Sequence, residues 1–500
     1  MNSAIVAPLA TASLALVSLS LSYREAKPAA LIVEKATGYT LLALATWFLY
    51  AYQLIDVVSA LLGIFFAALA IPISVYTHKY VELAKYEKSL GVLIDAFMFV
   101  LISTYIAPTL LLLIVFWTTA EVLGYAVIRK GEEHSIEGPL TSARGFILVS
   151  TLTYELTVFT LIALSILVAS ALAGIGLLNQ AFHQVVTPVN LPLLFLPLVL
   201  LGFLTKAAIV PLHFWLPSAH SNAPSPGSSI LSGIMSLLGF YGLYRILNML
   251  SIGEYRSIVV YALVVLGAAT VLYGGSQALM QRDVKKMLAY STIATNGYIL
   301  LVFAIYVYTQ STLAFWAFIL SVVMHASYKT TLFCEAGLVE SVFGTRYIHN
   351  LRGLVKFLPL STSGGLLAVL SLLGAPGTIG FSSKVISIVA TIELLNINTL
   401  LAIAILISIV AYIAFSALVA LNYVRIYTGH SKLTEVLEAK KPSMHSQAPV
   451  LALGTTNVAS NLVVFTSPEP VLSLVLGSMS TIAVLLAYTA YMYFKRVSER

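Results

Sequence analysis

Apolar stretches of about twenty residues, each long enough to carry a helix across about 30 Å of hydrocarbon, recur along nearly the whole of this 500-residue chain. Lipid offers backbone amides no hydrogen-bond partner, so such a chain must satisfy its peptide groups within its own helices. The fold class expected is an all-α polytopic membrane protein. Composition agrees: 59% hydrophobic and 9% charged residues stand against about 45–50% and about 25% in soluble domains.

Runs near 3–22, 38–53, 55–77, 91–107, 109–128, 145–172, 193–216, 228–250, 257–280, 288–308, 312–339, 357–375, 379–397, 400–424 and 470–494 predict about fourteen or fifteen transmembrane helices. The first lacks a basic leader and a small-residue cleavage site, so it reads as a retained helix. Basic residues gather in alternate loops. Arg24, Lys27 and Lys35 follow the first run, Lys79, Lys85 and Lys88 the third, and Arg129, Lys130 and Arg144 the fifth. Arg282, Lys285 and Lys286 follow the ninth, and Arg346, Arg352 and Lys356 the eleventh. That bias predicts these loops in the cytoplasm and the N-terminus outside. Beyond residue 400 the charges leave the side of the C-terminus open.

The net charge of +7 is accounted for by these short clusters, which argues against a nucleic-acid partner. The single cysteine, Cys334, lies in an apolar run. No disulfide framework, iron–sulfur ligand set or Cys-based zinc site is expected. The chain is expected to carry no cofactor, no metal and no catalytic redox residue of its own.

Lys206, Lys329 and Lys384 stand apart from the loop clusters, inside the apolar runs. A charge there costs roughly 2.5–3.5 kcal/mol even on the lenient insertion scale, so each is a functional-site candidate. Lys206 precedes Pro211, and Lys384 follows Gly374-Ala-Pro-Gly-Thr-Ile-Gly380. Hydrophobic segments interrupted at corresponding places point to two related halves around a transport site, here about 91–250 and 257–424. Residues 1–90 form an N-terminal helical unit and 425–500 a loop with a last helix. Glu121 is the acidic partner expected for Lys206. His325 and Lys329, four residues apart, share a helix face, and Glu335 follows. Glu155 lies too deep to reach the interface and is a further relay candidate. Asp56 and Asp95, near span starts, are expected to reach toward water.

The stretch Lys206-Ala-Ala-Ile-Val-Pro-Leu-His-Phe-Trp-Leu-Pro-Ser-Ala-His220, with Ala223-Pro-Ser-Pro-Gly-Ser228, strongly resembles the antiporter-like membrane subunits. These are shared by respiratory complex I, membrane-bound hydrogenases and Mrp-type cation/proton antiporters. Gln281-Arg-Asp-Val-Lys-Lys-Met-Leu-Ala-Tyr-Ser-Thr292, His325-Ala-Ser-Tyr-Lys-Thr-Thr-Leu-Phe333, Gly380-Phe-Ser-Ser-Lys384, Leu54-Ile-Asp56 and the run ending in Trp117 match as well.

The resemblance implies two inverted five-helix repeats, each with a broken helix and a half-channel, joined by a horizontal chain of Glu and Lys. Lys206 would be the central lysine of the first half, Lys329 the connecting one and Lys384 the terminal one. His213 and His220 would flank the cytoplasmic end of the first broken helix. Four positions depart from the pattern: Thr118 replaces the usual carboxylate, Leu237 a lysine, Ser218 an acid and Thr295 a histidine. With Leu237 apolar, either water and hydroxyls such as Ser232, Ser236 and Tyr241 bridge Lys206 and Lys329, or the chain no longer conducts across its full width.

The function implied is an ion-translocating subunit, for protons or sodium, without a redox centre. It would work beside other membrane subunits of an NADH/ferredoxin:quinone oxidoreductase or membrane-bound hydrogenase in the cell membrane. A subunit of a Mrp-type antiporter and a non-conducting membrane scaffold are the alternatives.

Overall fold

A computed structural model describes residues 3–21, 28–134, 141–172, 189–190, 195–429 and 443–466. The helices are α1 Ser3–Leu21, α2 Pro28–Ala51, α3 Val57–Leu83, α4 Ser89–Tyr105, α5 Leu110–His134, α6 Thr141–Phe146 and α7 Leu152–Leu172. They continue with α8 Leu196–Lys206, α9 Trp215–Asn222, α10 Ser225–Ile230, α11 Leu238–Met249, α12 Arg256–Met280, α13 Val284–Thr309 and α14 Thr312–Phe343. Last come α15 Leu354–Phe357, α16 Pro359–Leu373, α17 Ile379–Leu395, α18 Thr399–Val424 and α19 Met444–Thr466. Strand pairing is slight: a two-residue parallel contact, Val189 with Leu250 and Asn190 with Ser251, and an isolated antiparallel bridge between Asp283 and Tyr347.

Local chemistry sets the helix ends. Asp56, Asp283, Ser311, Thr378 and Asn398 each accept a backbone N–H from three residues on, satisfying an amide that the helix start leaves free. Gly344 and Gly374 end α14 and α16 in the left-handed region, at φ 67° and 86°. Among the described residues eight helical stretches are long and apolar enough to cross a membrane. α3, α13 and α14 are buried almost all round, whereas α12 and α18 present Val265, Ile403 and Ile407 outward. Lipid is as apolar as leucine, so close packing has to hold helices together. Gly364 of α16 and Gly454 of α19 meet with no room for a Cβ.

Three sequence expectations change. The run at 38–53 begins ten residues earlier, at Pro28, so Lys35 lies inside α2 and not in a loop. The runs 357–375 and 379–397, read as two spans, join at the Gly374 break as α16 and α17, with their outer ends on opposite faces of the bundle. At the start of α16, Leu360 and Ser361 amides donate to Gln447 of α19 (3.2 and 3.4 Å), on the face of the basic loops. Past the end of α17, Asn398 reaches Tyr261 and Tyr308 (3.0 and 3.4 Å), at the opposite ends of α12 and α13. α19, Met444–Thr466, fills a stretch read as loop. The span expected at 470–494 lies outside the described residues.

Among the described residues two helices carry a π-turn, a helical turn with one extra residue, a feature frequent at functional sites. One, Ile147–Thr151, joins α6 to α7. The other, Leu231–Met235, joins α10 toward α11.

Candidate functional site

α5 sets Trp117 and Glu121 one turn apart, and the indole Nε1 donates to Glu121 Oε1 (3.0 Å). α8 ends on Lys206, whose Nζ lies 2.7 Å from the same Oε1. Both side chains are fully buried. A buried ion pair holds only where further groups satisfy it. Ser150, in the first π-turn, accepts from Lys206 (3.1 Å), and Thr151 donates to Glu121 (3.3 Å). The ammonium also lies 4.7 Å from the Phe146 ring centre and 5.5 Å from that of Trp215.

Beyond the break, α9 carries His220, fully buried, with neither ring nitrogen hydrogen-bonded. Its ring stands edge-on to Trp215, which flanks Lys206, and to Phe333, one turn past Lys329 on α14, at 6.1 and 6.0 Å. His220 therefore occupies the space between the two lysines. Lys329 Nζ donates to the Leu288 carbonyl (2.7 Å) and Ser291 Oγ (2.5 Å). His325 Nε2 donates to the Ser232 carbonyl of the second π-turn (3.1 Å). Ser232 Oγ contacts Thr292 Oγ1 (2.8 Å), which itself donates to the Leu288 carbonyl (2.9 Å). His325 and Lys329 are thus joined through α13.

The other expected bridges lie elsewhere. Ser236 Oγ turns back to the Ser232 carbonyl of its own helix (2.7 Å). Tyr241 donates to the Tyr105 carbonyl (2.6 Å), contacts Ser59 (2.7 Å) and accepts from Arg245 (2.9 Å). Arg245 in turn pairs with Asp56 at 2.9 Å, so Tyr241 belongs to a separate cluster. Leu237 is buried apolar packing.

In the second half, Lys384 reaches back from the second turn of α17 to the end of α16. Its Nζ donates to the Leu372 and Leu373 carbonyls (2.6 and 3.0 Å) and to Ser416 Oγ of α18 (3.0 Å). The negative end of the α16 dipole meets the ammonium. A cavity of about 10 Å³ lies between Ser291, Thr295, Tyr412 and Ser416, room for about one water. It touches the hydroxyl partner of Lys329 and that of Lys384.

His213 lines a cavity of ≈ 1000 Å³ on the basic face, with Lys85, His134, Lys285, Lys286 and Arg346 among its walls. Glu155 is half-buried and accepts from Thr118 (3.3 Å). Asp95 does not reach water: it is buried with Lys35 at 2.5 Å, Tyr39 at 2.8 Å and Ser74. Reading Lys35 as a loop residue hid this buried helical lysine, although Asp95 in an apolar run was the signal for it. Among the described residues no group of three or more His, Cys, Asp or Glu could hold a metal. What the arrangement offers chemically is a row of titratable groups and hydroxyls buried in the core.

The chain is 35% identical over 279 residues to NADH-quinone oxidoreductase subunit N of Desulforudis audaxviator, covering 54% of this chain and 52% of that one. It is 32% identical over 290 residues to F(420)H(2) dehydrogenase subunit M of Methanosarcina mazei, covering 58% and 55%. The matched region thus spans about half the length of these relatives. The structure of a Mrp complex from Dietzia sp. DQ12-45-1b contains a chain with the same fold, at TM-score 0.73 and 19% identity, over 98% of this chain and 99% of that one. Residues 146–411 match the family described as NADH:quinone oxidoreductase/Mrp antiporter, TM. The chain belongs to that family of membrane subunits.

Proposed function

We propose that this chain translocates protons, or sodium ions, as the membrane subunit of an NADH/ferredoxin:quinone oxidoreductase or membrane-bound hydrogenase. It works beside other membrane subunits in the plasma membrane and carries no redox cofactor. The observation that carries the reading is the buried ion pair of Glu121 and Lys206, continued through His220 and Lys329 to Lys384. Intramembrane charges are costly, and one kept in such a row earns its place by moving charge. We further propose about fourteen crossings, two inverted repeats near 91–250 and 257–424, and an N-terminus outside. A Mrp-type cation/proton antiporter is the second reading, supported by relatives and a fold neighbour of that type. A non-conducting scaffold is the third, favoured by Thr118 and Leu237, two of the four departures from the pattern.

The experiment is ion flux in vesicles holding the intact membrane assembly, with Lys206→Ala or Lys384→Met in this chain. Loss of flux with assembly intact is expected. Wild-type flux in both would leave the scaffold reading standing.

A further inference from the structure

Glu335 lies on α14 six residues past Lys329 and is 1% exposed. Its Oε2 accepts from the hydroxyls of Tyr423 (3.1 Å) and Tyr427 (2.8 Å). Its Oε1 has no partner. Among the described residues no cation pairs with it, whereas Glu121, Asp95, Asp56, Asp283 and Glu340 each face a lysine or arginine. Gly365 of α16 closes the site, because a Cβ there would collide with the Glu335 carboxyl and the Tyr427 hydroxyl. α16 carries no titratable side chain. α18 and the turn after it present Tyr423 and Tyr427, and α19 presents Asn457, which donates to Thr331 (3.5 Å).

An ionised carboxylate with two neutral donors and no counter-ion is poorly compensated in hydrocarbon. Uptake of a proton balances it without any other movement of charge. Hydroxyls of the core lie on one side of this carboxyl and the basic-face loops on the other. Tyr328, Thr331 and Glu335 stand at i, i+3 and i+7, on one face of α14. Tyr328 meets Thr295 (2.5 Å), which Tyr412 also reaches (3.3 Å). Thr295 and Tyr412 line the small cavity that touches the partners of Lys329 and Lys384. In the other direction, the Tyr427 carbonyl accepts from Val355 (3.4 Å), and Arg352 bonds the Arg425 carbonyl (2.7 Å), among the basic-face loops.

We propose that Glu335 is a proton-loading group that gives the Lys329–Lys384 segment its own access to the basic face, apart from the cavity lined by His213. Uptake forms an O–H bond on the carboxyl, release toward Tyr328 restores the carboxylate, and no electron moves. This rests on the relay reading given above.

The test uses the intact assembly in vesicles, with proton flux followed by a pH-sensitive dye and carboxyl protonation by infrared difference spectroscopy. Glu335→Gln should cut flux at least tenfold and remove one deuterium-sensitive carboxyl band. Glu335→Asp should keep part of the flux with a displaced pH profile, and Tyr427→Phe should slow flux while keeping the band. Full flux and an unchanged pH profile in Glu335→Gln, beside loss of flux in Lys384→Met, would overturn the proposal and spare the relay. Full flux in both variants would overturn the relay itself. Should Glu335→Gln fail to assemble, Glu335→Asp and Tyr427→Phe decide: wild-type flux and pH profile in both would overturn the proposal.

Discussion

Glu121 Oε1 lies 2.7 Å from Lys206 Nζ, and neither side chain touches solvent. Removing one partner leaves the other charge buried and alone, at a cost of about 3–5 kcal/mol. Glu121→Gln and Lys206→Met should each lower thermal stability in detergent. The double variant should recover most of it, a strongly non-additive cycle. Ion flux should stay lost in all three.

Lys384→Met keeps the length of the side chain and removes the ammonium from the Leu372 and Leu373 carbonyls and Ser416. Assembly should survive, and flux in vesicles should fall at least tenfold. Normal flux would take this position out of the path.

His220 makes no side-chain hydrogen bond, so an apolar replacement of similar volume costs little, below about 1.5 kcal/mol. His220→Leu should therefore melt near the wild type yet lose flux, since it removes a titratable ring between Lys206 and Lys329. Equal flux in the two proteins would make His220 a packing residue.

Asp95 and Lys35 form a buried pair in α4 and α2, apart from the row of relay groups. Asp95→Asn should cost about 3–5 kcal/mol by the same uncompensated-charge argument. The flux per assembled complex should not change. A calorimetric comparison normalised to flux would show whether the pair only holds the helices together.

Much of this was readable from hydropathy alone, because a lysine contrasts sharply with the hydrocarbon-facing residues around it. Lys206, Lys329 and Lys384 were found that way, and Glu121 by proximity to one of them. Lys35 was not, because Glu34 and Lys35 together depress the hydropathy at the start of α2 and make it look like loop. α19 was missed for a related reason. Its Gln447 and Asn461 are polar by composition, but Gln447 accepts from α16 amides and Asn461 from Ser382 (2.5 Å), so helix neighbours replace water. The bridge to Lys329 was sought among hydroxyls near Leu237, whereas the fold brings in His220 across the broken helix, a long-range contact no local pattern encodes. The unpaired state of Glu335 is likewise a fact of tertiary packing.

The extra residue in each π-turn makes chain length in the middle of the bundle a matter of rotation. An α-helix turns about 100° per residue, so deleting one residue within Ile147–Thr151 would leave a regular helix and swing one flank by over a quarter of a revolution. Either Ser150 would leave Lys206, or Thr157 would leave the Gly202 amide it now accepts at 2.9 Å. A single-codon deletion at that spot would be more damaging than many substitutions, because it moves a whole helix face at once.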